Sequence, residues 1–412
     1  MPESELLSDK ELFSLTSPFQ PEGFSKDRAL ELAASGTLAM VTEPGDRMAG
    51  ALTKALGKLK LVSLLIEGLQ TKPVLGALLA GNSLDLMRVS FGDLEATLSD
   101  TRQRWLPRLS KSRLEHLFSR SQALGLELVV QGDDCWPAGL SDLQDSAPQL
   151  LFVEGKLECL RNLSNAVSIV GSRAASSYGK AVTSRLVHHL ARVNKNTVSG
   201  GAVGIDALVH RASLENGIAT VAVMAGGLDR KYPRENFSLF RSIQSSGAVI
   251  SEMPPGVAPS RWRFLQRNRL IAALSPTTVV VEAGIGSGSI RTANNALELD
   301  RELLAIPGSI LSSTSAGTNN LILENRAMAL CDFEYFGKVS PSVAPHPSES
   351  ALAQRAKDAI RESRSMTRDQ VSKVAGLTRL EVEIALTELV RNDHVIEVRG
   401  FEGELYYALK YA

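Results

Sequence analysis

Arg261, Arg263, Arg267 and Arg269 of "SRWRFLQRNRLIAALS" (residues 260–275) stand beside Trp262 and Phe264 in a run with no acidic residue. A guanidinium holds phosphate bidentately and stacks on bases, while an aromatic ring offers a sequence-tolerant platform worth about 1 to 3 kcal/mol per base. Such a strip suits a polyanion that carries bases. The alternative is an arginine face tied to a neighbouring helix by ion pairs. If the segment is helical from about residue 263, Arg263 and Arg267 share one face with Phe264 beside them, and Leu270, Ile271 and Leu274 turn inward.

Three glycine-rich turns offer complementary chemistry. "VSIVGSRAASSYGKA" leaves a β-rich run at Gly171, Ser172 and Arg173; "NTVSGGAVGIDALVH" does so at Ser199, Gly200 and Gly201; "TTVVVEAGIGSGSIRTA" continues to Ser287, Gly288 and Ser289. Glycine lets the backbone approach a ligand, and the free amides of a following helix favour an anion. Each turn alone reads equally well as a tight strand-to-helix connection, but three together with Arg173 predict a phosphate cradle. "GSRAAS" does not fit the G-x-G-x-x-G fingerprint and no G-x-x-x-x-G-K-[ST] occurs, so neither NAD nor P-loop ATP chemistry is expected.

Acid–base candidates are fewer. Asp206 opens a helix, His210 follows four residues later, and Glu282 ends a strand without an identifiable partner. The spacing predicts a buried histidine bonded to Asp206, not a proton relay. No set of nucleophile, base and orienting group can be assembled, so no catalytic residue is assigned. Cys135, Cys159 and Cys331 lie far apart, with no metal-ligand spacing. They predict neither disulfide nor metal, and a reducing compartment.

These residues need elements to hold them. The 412 residues balance 45 Lys and Arg against 45 Asp and Glu, so any polyanion site must be local. Residues 1–122 read as helical. From 125 to 332, short apolar β-rich runs alternate with helix-length segments, predicting a doubly wound parallel α/β sheet covered on both faces. The Pro- and Ser-rich stretch 333–350 reads as a linker. Residues 351–412 read as three helices and a hairpin, a small winged-helix domain. The N-terminus lacks a signal-peptide pattern and no apolar run is long enough to span a bilayer, so a cytoplasmic location with no membrane contact is expected.

The segments "IVGSR", "SGGAVGID", "AGGLDRKYP", "SEMPPG", "FLQRNRLIAALS", "VVVEA", "SGSIRTA", "AIPG" and "GTNNLI" occur in series, and in them the chain resembles the DNA-processing protein A (DprA/Smf) family. The resemblance implies an extended Rossmann-like domain that binds single-stranded DNA in a basic pocket, protects it, and helps load the RecA recombinase in natural transformation. It also implies a homodimer. Arg173, Ser199 to Gly201, Phe264, Arg267, Asn268 and Arg269 match the positions that line the family's pocket. Leu265 replaces a proline common in the family, and Asn325 stands where a left-handed backbone is expected. A competing reading is a nucleotide-processing enzyme or nucleotide sensor of a related Rossmann-like family, although "EAGIGSGSIRTA" lacks the acid that closes the phosphoribohydrolase glycine loop.

Overall fold

The computed structural model describes residues 6–20, 23–80, 91–337, 350–363, 365–391, 394–399 and 404–410. The chain divides into two compact units, Met1–Gly337 and Lys338–Ala412.

The first unit is organised by a nine-stranded sheet. Its strands are β1 Glu127–Val129, β2 Leu151–Gly155, β3 Ala166–Val170, β4 Asn196–Ser199, β5 Thr220–Val223, β6 Ala248–Ser251, β7 Thr277–Val280, β8 Glu302–Ala305 and β9 Met328–Ala329. They lie in the order β1-β2-β6-β5-β4-β3-β7-β8-β9. All pairings from β6 to β9 across the sheet are parallel, while β1 and β2 add an antiparallel margin. The apolar runs are explained by two covered faces. Val280 packs with Val170, Val198 and Val221 on one face, whereas Val279 packs with Val167 and Ile169 on the other. The two-residue strand β9 is too short to be read from sequence.

The N-terminal helices share one of their two cores with this sheet. Leu12, Leu32 and Phe118, from helices Asp9–Thr16, Lys26–Val41 and Lys111–Ala123, pack with Phe152, Ala222 and Val249 of β2, β5 and β6. A second helical cluster surrounds the buried Trp105. The helical region thus serves as one covering layer for half of the sheet, which the boundary expected at 122 does not convey.

The arginine-rich segment forms the helix Arg261–Ala273, two residues earlier than the spacing suggests, because the Ser260 hydroxyl caps it by accepting the Arg263 amide. Leu270, Ile271 and Leu274 are buried as expected. Asn325 holds φ at +53°, the left-handed backbone anticipated there.

The linker expected from 333 begins later. Phe333–Phe336 forms a 3-10 turn whose Phe336 packs on Leu330 and Ile306 of the first unit; residues 338–349 lie outside the described residues. The second unit comprises the helix Ala351–Ser363, β10 Ser365–Thr367, the helices Arg368–Ala375 and Arg379–Arg391, β11 Val395–Arg399 and β12 Leu405–Leu409. Its sheet is antiparallel in the order β10-β12-β11, over a core containing Ile360, Val371, Leu386 and Tyr407. The glycine-containing turn read between the last two strands, 400–403, lies outside the described residues.

Candidate nucleic-acid interface

From β3 the chain winds outward through β4, β5 and β6, then crosses back to lay β7 against the other side of β3. The connections leaving β3 and β7 therefore diverge, and a crevice opens beyond their carboxyl ends, where such sheets take their ligands. Here the crevice is a cleft of about 1010 Å³. Gly171, Ser172 and Arg173 line it after β3, and Ser287, Gly288 and Ser289 after β7; Arg261, Phe264, Arg267 and Asn268 close it from the arginine helix.

Phe264 is its aromatic centre. The guanidinium carbons of Arg173 and Arg267 each lie 5.7 Å from the ring centroid, and the Tyr232 ring meets it edge-on at 5.6 Å. Arg173, Arg261 and Arg291 are exposed at the cleft and, among the described residues, form no ion pair. Three guanidinium groups are thus free for an incoming anion.

The remaining arginines of the strip are committed internally, as the ion-pair alternative requires. Arg263 makes a bidentate bridge to Glu43, at 2.9 and 3.1 Å, and also donates to the Ala258 carbonyl. Arg269 is buried against Glu252 with an N–O distance of 2.6 Å. Arg267 touches the cleft, but its Nη1 donates to the carbonyls of Gly200 (2.6 Å) and Val223, and its charge lies near buried Asp206. Burial lowers its pKa to about 10, partly offset by Asp206, so it remains cationic at neutral pH.

Three further expected residues do not reach the cleft. Ser199 is fully buried, its hydroxyl donating to Ile169 O. A Cβ at Gly200 would sit 2.7 Å from the Arg267 guanidinium, and one at Gly201 (φ +68°) 2.7 Å from Phe240. Both glycines are required by packing of the protein against itself. Thus Arg263, Arg269, Ser199, Gly200 and Gly201 belong to the frame behind the site.

The three glycine turns differ in the same way. At the first, Glu282 occupies the start of the helix Ser177–Arg192, accepting the Ser176 amide at 3.0 Å and the Ser176 hydroxyl. This is the partner that sequence did not identify. At the second, Ile205 N donates to Ser172 O at 3.1 Å, and Ala202 N to Asp206 at 3.4 Å. The third turn leads into the helix Gly288–Glu298, whose start faces the cleft. A Cβ at Gly286 or Gly288 would meet nothing within 4 Å, so no internal contact demands glycine there. Of the cradle expected from three turns, one helix start faces the cleft; Ser287 Oγ caps its Ser289 amide at 3.3 Å, which leaves the Gly288 amide to an anion.

His210 does not bond to Asp206. Its Nδ1 lies 2.7 Å from Thr220 Oγ1, and burial together with the Arg267 charge pushes its pKa down to about 3, leaving it neutral. Asp206 is pushed up by burial and held down by Arg267 and by the amides of Ala202, Gly171 and Gly200. Arg291 and Tyr232, which complete the cleft, were missed from sequence. The signal was available, since Arg291 stands three residues after Gly288 on an exposed first turn.

Residues 127–338 match the DNA recombination-mediator protein A family. The chain is 42% identical over 208 residues to the putative DNA processing protein DprA of Mycobacterium tuberculosis, covering 48% of this chain and 54% of that protein. It is 41% identical over 209 residues to DNA processing protein DprA of Streptococcus pneumoniae, covering 49% and 73% respectively. The match thus spans about half the length of the mycobacterial relative. The X-ray structure of the Streptococcus pneumoniae protein superposes with a TM-score of 0.53 at 34% identity, covering 67% of this chain and 95% of that one. With more than half of its residues matched and the crevice built from the matched segments, the chain belongs to the DNA recombination-mediator protein A family.

Proposed function

We propose that the cleft binds single-stranded DNA with little sequence preference. The observation that carries this reading is Phe264, contacted by the Arg173 and Arg267 guanidinium groups in a cleft also lined by Arg261 and Arg291, in a chain of zero net charge. Arginines and an open helix start take phosphates; the Phe264 and Tyr232 rings take unstacked bases, which a duplex keeps covered. A salt titration of a fluorescent oligonucleotide, single-stranded against duplex, tests it: tight salt-sensitive binding of the single strand alone is expected, and equal affinity for duplex rejects the reading.

In this reading the protein is a non-enzymatic, cytoplasmic mediator that protects incoming DNA and helps load RecA during transformation and recombination. The names of the relatives, DNA processing proteins within a recombination-mediator family, support it. The internal commitment of Asp206, His210 and Glu282 supports the absence of turnover. No helix among the described residues is long and apolar enough to cross a membrane. A homodimer is supported by the exposed apolar side chains of Ile310, Leu311 and Leu323. The order helix, strand, helix, helix and paired strands in the second unit supports a winged helix.

A further inference from the structure

A second, polar cleft of about 490 Å³ adjoins the first, and Leu265 and Arg291 line both. Its far side is supplied by the N-terminal region through Gly45 and Arg47. Arg47 is exposed and, among the described residues, forms no ion pair. Arg269 lines the same cleft while buried, and although its Nη2 is bonded to Glu252, its Nε and Nη1 have no acceptor. Those two nitrogens are closed off from the cleft, so Arg269 forms part of its wall, and Arg47 and Arg291 are the guanidinium groups that face it. Of the acids present, Asp142 is neutralised by Arg301, leaving Glu298 against the two free arginines.

We propose that a strand held in the switch-point cleft continues past Arg291 into this second cleft, where Arg47 takes one further backbone phosphodiester. The inference rests on the reading of the first cleft as a single-strand site. It gives the N-terminal region a direct part in binding. The same loop also carries Glu43, whose bridge to Arg263 fixes it against the arginine helix, so Arg47 is presented from an anchored support.

The test is Arg47→Glu in the full chain, titrated with oligothymidines of about four and about twelve nucleotides, lengths that bracket common single-strand sites. Arg47 is the first residue of the helix Arg47–Leu56, where an acid suits the helix dipole, so the variant should fold at least as well. The longer strand should bind about five- to tenfold more weakly to the variant. Its log-log salt slope should lose about 0.7, the loss of one phosphate contact. Affinity for the shorter strand should not change. Equal weakening of both lengths, or of neither, overturns the proposal while leaving the first cleft intact as a site. If wild type binds neither length, the reading of the first cleft falls and this one with it. A parallel titration with inorganic phosphate separates the sources: a site for free phosphate would show Arg47-dependent phosphate binding with long-strand affinity unaltered, which also overturns the proposal.

Discussion

Arg267 Nη1 donates to the carbonyl of Gly200 at 2.6 Å, and a methyl group at Gly200 would lie 2.7 Å from the same guanidinium. The two residues hold each other at the floor of the cleft, each leaving no room for the other to change.

Arg267→Ala should therefore unfold more easily, by about 3 to 5 kcal/mol, because it strips buried Asp206 of its counter-charge and leaves two carbonyls unpaired. Urea denaturation measures this. An unchanged midpoint would show that Arg267 is free for DNA after all.

Loss of Arg269 should destabilise in a pH-dependent manner. Burial raises the Glu252 pKa and Arg269 holds it down, so in Arg269→Ala it rises further. A carboxyl with a raised folded pKa binds more protons folded than unfolded between the two pKa values, so stability falls as pH climbs through that window. Denaturation of the variant should show its stability falling as pH climbs above the ordinary carboxylate value of about 4.5 toward neutrality. A deficit constant with pH would place the destabilisation elsewhere.

Arg173, Arg261 and Arg291 should behave in the opposite way. Replacing all three with alanine should change the urea midpoint little, since exposed substitutions without an ion-pair partner fall within about 0.5 kcal/mol each. The wild-type salt slope owed to them is about −2, at about −0.7 per phosphate, and it should collapse in the triple variant. Fluorescence anisotropy against salt reads both quantities.

Gly288→Ala separates packing from binding. The position is open, so the helix Gly288–Glu298 should gain about 0.5 to 1 kcal/mol from losing a glycine, while affinity for a single strand drops as the methyl group obstructs phosphate at the helix start. Unchanged affinity would place the strand elsewhere in the cleft.

The frame of the molecule was readable because apolar runs and glycine turns report directly on a sheet covered on both faces. In the helix Arg379–Arg391, Val382, Ala385, Leu386 and Leu389 recur at intervals of three and four and are buried as that periodicity requires. The site was only partly readable. The four arginines of "RWRFLQRNR" look alike in sequence, yet their roles depend on acids far away: Glu43 for Arg263, Asp206 for Arg267, Glu252 for Arg269. Among the described residues, Arg261 alone meets none. Similarly, nothing local distinguishes a turn whose helix start is covered by Glu282 from one that faces the cleft at Gly288.

Glu282 and Ser176 join across a sequence separation of 106 residues. At translation rates of about 5 to 20 residues per second, that interval lasts about 5 to 20 seconds. Throughout it a growing chain exposes Arg173 beside a strand β3 that still lacks its neighbour β7. The proposed polyanion site therefore lacks its second wall until β7 and the turn after it are made, and a nascent chain stalled before Glu282 should emerge without affinity for DNA.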